Sequence, residues 1–160
     1  MITSELKKNV QGILLENESM SKHTSYGIGG KVMAYITPYD LKDLIKIIKI
    51  INKNNLKFYF VGSGSNLLVN DKKINAILIT PAKAFKSLTF KNNTIKAESG
   101  VMLGRLVKEA IKHNLTGLES LVGVPGTLGG ALMMNAGAWG SEISNYLISV
   151  DVINTNGKIK

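Results

Sequence analysis

Lys57-Phe58-Tyr59-Phe60-Val61-Gly62-Ser63-Gly64-Ser65-Asn66 organises the first half of the chain. The apolar run Phe58–Val61 predicts a strand, and the Gly-Ser-Gly-Ser-Asn after it predicts a tight turn. Upstream, Val32–Ile36 reads as another strand. Between the two, Leu41, Leu44, Ile45, Ile48 and Ile51 recur at helical spacing, with lysines at 42, 46, 49 and 53 on the other face. Thr37 is the expected cap of that helix, Pro38 suits its first turn, and Asp40 stands where a capping-box acid would. Asn54-Asn55 should end it. Strand, helix 40–53 and strand together make a β-α-β unit. Leu67-Leu68-Val69 is a further apolar run, and Ala76–Ile79 reads as a second buried strand. Nearer the N-terminus, Leu6, Val10, Ile13 and Leu14 predict a short amphipathic helix within residues 4–17.

Pro81 marks the expected boundary between two lobes, 1–80 and 81–160. Ser87–Phe90 and Thr94–Ala97 flank Lys91-Asn92-Asn93 in a hairpin pattern. A helix over 102–113 follows, with Leu103, Leu106, Val107, Ala110 and Ile111 on one face. Leu147–Ile153 reads as a strand and Thr155-Asn156-Gly157 as a hairpin turn. Lys158-Ile159-Lys160 then gives only the start of a return strand, so the second lobe is expected to be truncated.

Composition narrows the function classes. A net charge of +9 invites a nucleic-acid reading, but Arg105 is the sole arginine among the 20 basic residues. The bidentate base and phosphate reader is therefore nearly missing, and the lysines are scattered. A solvated lysine surface is the expectation, with no nucleic-acid partner. The absence of cysteine rules out disulfides and thiolate metal sites in this chain. No apolar run has membrane-spanning length and no secretory signal pattern opens the chain, so a cytoplasmic protein without a membrane partner is expected.

Two glycine clusters carry the chemistry. Gly62–Leu68 follows a strand, yet lacks the third glycine of the dinucleotide fingerprint (position 67 is leucine) and the closing Lys-Ser/Thr of a P-loop. What remains is a turn whose successive N–H groups can form an anion-binding nest, or an ordinary tight turn. The second cluster holds seven of the 16 glycines, from Gly117 to Gly140, interleaved with apolar residues and with Glu119 as its one charge. Gly126, Gly129 and Gly130 allow close backbone approach, Thr127 adds a hydroxyl, and Asn135 an amide. Close packing of small residues is the competing explanation. His23 and His113 have no third metal ligand between them, and no metal site is expected. His113 suits a helix C-terminus. Glu98 and Glu119 lack a paired-carboxylate spacing, and there is no nucleophile elbow.

Thr24-Ser25-Tyr26-Gly27-Ile28-Gly29-Gly30, Gly62–Val69 and Gly123-Val124-Pro125-Gly126-Thr127-Leu128-Gly129-Gly130, followed by Asn135-Ala136-Gly137-Ala138-Trp139-Gly140, occur in this order. Together they resemble the UDP-N-acetylenolpyruvoylglucosamine reductase family over nearly the whole chain. The resemblance implies an α+β, two-lobed FAD-binding fold of the PCMH type: a small β-α-β lobe, then a mixed or antiparallel sheet lobe with helices, with FAD held between them. Gly62, Ser63, Gly64, Ser65, Asn66, Leu67 and Leu68 would lie along the FAD pyrophosphate. Pro125, Gly126, Thr127, Gly129, Gly130, Asn135, Ala136 and Gly137 would surround the flavin and its phosphates.

The same resemblance implies that NADPH reduces FAD and that the enolpyruvyl group of UDP-N-acetylglucosamine enolpyruvate is then reduced to UDP-N-acetylmuramate, for peptidoglycan. The family's catalytic serine and glutamate belong to a third, substrate-binding domain, and its arginine to a Tyr-Arg-x-Ser segment. None has a counterpart here, so no catalytic residue is expected in this chain and the fragment alone should be inactive. Trp139 stands where the family commonly has tyrosine. The alternative is a split or stand-alone flavin-binding module acting with a partner chain.

Overall fold

A computed structural model describes residues 4–160. The chain divides into two units, Met1–Ala84 with Asp151–Lys160, and Phe85–Val150.

The first unit is built on a four-stranded mixed sheet. In chain order it contains α1 (Ser4–Asn9), β1 (Ile13–Glu16), β2 (Val32–Thr37), α2 (Leu41–Lys53), β3 (Phe58–Phe60) and β4 (Ile74–Ile79). The strand order is β1-β2-β4-β3, with β1 antiparallel to β2, and β2 and β3 each parallel to β4. Thus β4 lies between the strands joined by α2, so they are not neighbours in the sheet. The inner strands are buried on both faces, which is why they read as continuous apolar runs. Met20, Val32, Tyr35, Val61, Ala76 and Leu78 form one core cluster of this unit.

Three local expectations change. The helix expected over 4–17 stops at Asn9, and Ile13–Glu16 pairs with β2 instead. Gly12 sits so close to β2's end that a Cβ there would lie 2.0 Å from the Thr37 carbonyl oxygen. Thr37 is the last residue of β2, not a cap. The cap of α2 is Asp40, whose carboxylate accepts the Asp43 N–H at 2.8 Å. The buried stripe of α2 is also rotated, taking in Asp43, Ile47 and Ile50 while Leu41 is exposed. Asp43 is buried because it accepts N–H groups from Gln11 (3.1 Å), Gly12 (3.0 Å) and Tyr39 (2.8 Å). The expected end at Asn54-Asn55 is observed, with Asn55 at φ 50°.

The second unit carries a hairpin of β5 (Leu88–Lys91) and β6 (Thr94–Ala97), then α3 (Leu103–Lys112), α4 (Leu128–Met133), and a two-residue pairing of β7 (Gly137–Ala138) with β8 (Ser141–Glu142). Val101, Leu103, Leu106, Val107, Leu121, Ala131 and Ile143 form its core. Ile111, expected on the buried face of α3, is half exposed.

Residues 147–153 do not form the expected strand. Leu147, Ile148, Val150 and Val152 are exposed, and the segment's pairing is a single bridge between Ile153 and Ile159. The Thr155-Asn156-Gly157 turn is present, with Gly157 at φ 75° donating to the Asn154 carbonyl. The final ten residues return to the first unit rather than staying in a lobe 81–160. There the Asn52 side-chain amide donates to the Thr155 carbonyl, and Gly157 approaches Ile45.

Candidate functional site

Gly62–Leu68 leaves the end of β3 as an irregular loop. Among the described residues, the N–H groups of Gly62, Ser63, Gly64, Asn66, Leu67 and Leu68 make no hydrogen bond. Leu67 packs against the unit's core while Leu68 is exposed. Gly64, at φ 75°, is buried against the 23–24 segment, and a Cβ on it would fall 1.9 Å from the His23 carbonyl oxygen. Its carbonyl accepts the Ser25 N–H at 3.1 Å. The loop therefore keeps these six N–H groups without an acceptor among the described residues, while the Gly62 and Gly64 carbonyls are tied back into the unit. Successive open N–H groups in a turn are able to form an anion-binding nest.

The loop rests on a polar group that local patterning did not single out. His23 Nε2 lies 3.1 Å from Glu18 Oε1, and its ring stacks on Tyr35 at 3.8 Å between centroids. Burial raises the Glu18 carboxyl, but hydrogen bonds from His23 and Lys22 outweigh it and hold the group below the usual glutamate value. Burial pushes the Tyr35 hydroxyl up, against a hydrogen bond with Thr80. Thr80 is buried and donates to the Gly62 carbonyl at 3.4 Å. Residues 18 and 23, residue 35 and residue 80 come from three separate segments, so local spacing could not have joined all four.

In the second unit the glycine cluster divides into two kinds. Gly129 and Gly137 serve packing: a Cβ would lie 3.0 Å from Ser99 Cβ in the first case and 2.7 Å from the Ser141 carbonyl oxygen in the second. Gly130 has room, and its N–H reaches Thr127 Oγ1 at 3.4 Å. Gly126 has φ 131°, a conformation that favours glycine. The start of α4 is sewn to the start of α3: Leu128 N–H donates to Val101 O at 2.7 Å and Leu103 N–H to Gly126 O at 2.9 Å. Gly129 N–H is taken by Ser99 O. The N–H groups of Gly126 and Thr127 have no acceptor among the described residues, although both residues are buried. Buried backbone donors are normally paired.

The Asn135 amide is occupied internally. It donates to Glu142 Oε2 at 2.6 Å and accepts from the Ser144 N–H at 3.2 Å. Ala136 N–H donates to Ala131 O, and Gly137 pairs with Glu142. Trp139 stands at the β7–β8 turn, 94% exposed and at φ 56°. His113 caps α3, as expected, and stacks on Phe90. No group of metal-ligating side chains occurs among the described residues, and no helix there is long and apolar enough to cross a membrane.

A model of the FAD binding domain matches residues 32–160. The chain belongs to the FAD binding domain family.

Over 150 residues this FAD binding domain is 38% identical to the UDP-N-acetylenolpyruvoylglucosamine reductase of Alkaliphilus oremlandii (strain OhILAs), covering 94% of this chain and 49% of that protein. Over 159 residues it is 40% identical to the same-named protein of Clostridium botulinum (strain Alaska E43 / Type E3), covering 99% and 51%. The crystal structure of UDP-N-acetylenolpyruvylglucosamine reductase from Thermus caldophilus matches with a TM-score of 0.74 at 28% identity, over 94% of this chain and 51% of that one. The chain spans about half the length of the curated relatives it matches. The fold is the α+β FAD-binding architecture of the PCMH type.

Proposed function

We propose that this chain is the FAD-binding half of a cytoplasmic UDP-N-acetylenolpyruvoylglucosamine reductase. The whole protein would use NADPH to reduce UDP-N-acetylglucosamine enolpyruvate to UDP-N-acetylmuramate in peptidoglycan synthesis. The observation that carries the cofactor assignment is the set of six N–H groups, those of Gly62, Ser63, Gly64, Asn66, Leu67 and Leu68, that have no acceptor among the described residues. A diphosphate offers many acceptor oxygens and negative charge, so backbone donors can hold it without arginine. The net charge of +9 adds a field that draws anions. In the second unit, the buried N–H groups of Gly126 and Thr127 are the donors open to the cofactor. Gly130 offers open backbone beside them, and Pro125, Ala136 and Gly137 stay assigned to the cofactor on the resemblance alone.

When bound, FAD supplies the hydride-transfer chemistry. The residues of this chain bind and orient it. Asn135 would act by holding the β7–β8 turn rather than by direct contact, because both ends of its amide are used. We assign no proton donor for the enolpyruvyl carbon to this chain.

The test is titration of the purified chain with FAD, read by the flavin visible band and by quenching of flavin fluorescence. Saturable binding is expected. The second arm supplies NADPH and the enolpyruvyl substrate, and no turnover is expected from this half alone. Absence of any flavin response would remove the cofactor assignment, and turnover would refute the absence of catalytic groups.

A further inference from the structure

We propose that Thr80 is a positioning residue that aims the Ser63 N–H at the ligand's diphosphate. The inference rests on the assignment of Gly62–Leu68 to that diphosphate. A trans peptide places its C=O and its N–H on opposite sides of one rigid plane. Fixing the Gly62 carbonyl therefore fixes the direction of the Ser63 N–H. Thr80 Oγ1 contacts that carbonyl at 3.4 Å, and Ser63 N–H has no protein acceptor among the described residues.

Thr80 has little freedom of its own. It is 1% exposed, directly follows β4, and its hydroxyl oxygen accepts the Ala82 N–H at 3.3 Å. Its N–H is bound to Ile36 O at 2.8 Å. On the other side of the loop, His23 stacks on Tyr35 and is anchored by Glu18. A second restraint comes from the same group, because the His23 backbone touches Gly64 and Ser25 ties the Gly64 carbonyl. The loop is thus held at both glycines through their carbonyls. A loop built to close on itself would instead use its own N–H groups, and this one leaves them open.

The contact at 3.4 Å is long for a hydroxyl donor, so its effect on affinity should be moderate. The full chain and its variants Thr80→Val and Thr80→Ser are titrated with FAD, with ADP (diphosphate without flavin) and with riboflavin (flavin without phosphate). Thr80→Val should weaken FAD and ADP by about fivefold, leave riboflavin unchanged, and be rescued by Thr80→Ser. A purely structural role would lower the unfolding midpoint and weaken all three ligands together.

Wild-type affinity of Thr80→Val for FAD and ADP overturns the proposal while leaving the cofactor assignment intact. No FAD binding by the unmodified chain overturns that assignment itself. Should Thr80→Val fail to fold, Thr80→Ala removes the same hydroxyl without adding a methyl group. It should weaken ADP in the same selective way, and wild-type ADP affinity in that variant also overturns the proposal.

Discussion

Replacing Gly64 by alanine combines two penalties at a single atom. Gly64 has φ 75°, where an L-residue is strained. That conformation alone costs roughly 1–2 kcal/mol. The added Cβ would also meet the His23 carbonyl oxygen at 1.9 Å and the Thr24 Cα at 3.0 Å. Both obstacles are backbone, so neither can rotate away, and displacing them adds roughly 1–3 kcal/mol. The two together come to about 3 kcal/mol.

Two other glycines separate the contributions. Gly140 has φ 77° and nothing within 4 Å of an added Cβ, so Gly140→Ala should show only the conformational penalty. Gly123 has open space and no positive φ, so Gly123→Ala should be neutral or slightly stabilising. The assay is urea unfolding of the three variants, followed by FAD titration. Gly64→Ala should be the least stable and should lose at least about tenfold in FAD affinity, because the 62–68 donors shift with it. Equal destabilisation by Gly64→Ala and Gly140→Ala would refute the claim that the loop is pressed against residue 23.

Three further outcomes are expected. Asp43→Asn should destabilise by about 3 kcal/mol in urea unfolding, since one amide oxygen cannot serve the three N–H groups the carboxylate now accepts. Glu18 has a lowered pKa in the folded chain, so its stabilisation should be complete above the unfolded value of about 4.3 and fade as pH falls through the folded one. The stability difference between wild type and Glu18→Gln, followed by denaturant unfolding on acidification, should shrink accordingly; a constant difference argues against the ion pair. Trp139 and Gly140 both have positive φ at a two-residue hairpin turn that favours Asn-Gly, so Trp139→Asn should stabilise by about 1 kcal/mol at a site that is already 94% exposed. An unchanged unfolding midpoint would contradict that.

Much of the fold is legible in local pattern, because local pattern is where its physics acts. Phe58–Val61 and Ala76–Ile79 read as strands, the second as a continuous apolar run because both faces of β4 are covered, and α2 shows itself through a periodicity of 3.6. The hairpin of β5 and β6 follows from Asn92-Asn93, with Asn92 taking φ 50°. Errors arise where a distant group decides. Thr37 lost the cap because β2 claimed it, and Asp43 turned inward because the N–H groups of Gln11 and Gly12 needed an acceptor. Residues 147–153 carry strand-forming side chains, yet side-chain preference makes no ladder without a partner backbone.

Residue order alone marks the positions where backbone is expected to open to a ligand: glycines at 62, 64, 126, 129 and 130, in an order that resembles a reductase family's. Which of those positions leave donors free is settled in three dimensions. Gly62 and Gly64 keep their carbonyls tied to Thr80 and Ser25, so their loop presents N–H groups. Gly129 commits its N–H to Ser99, and Asn135 commits its amide to Glu142 and Ser144. The reason is physical. A backbone donor's availability depends on whether an acceptor from elsewhere in the chain has reached it, and that is a property of packing, which composition and spacing do not carry.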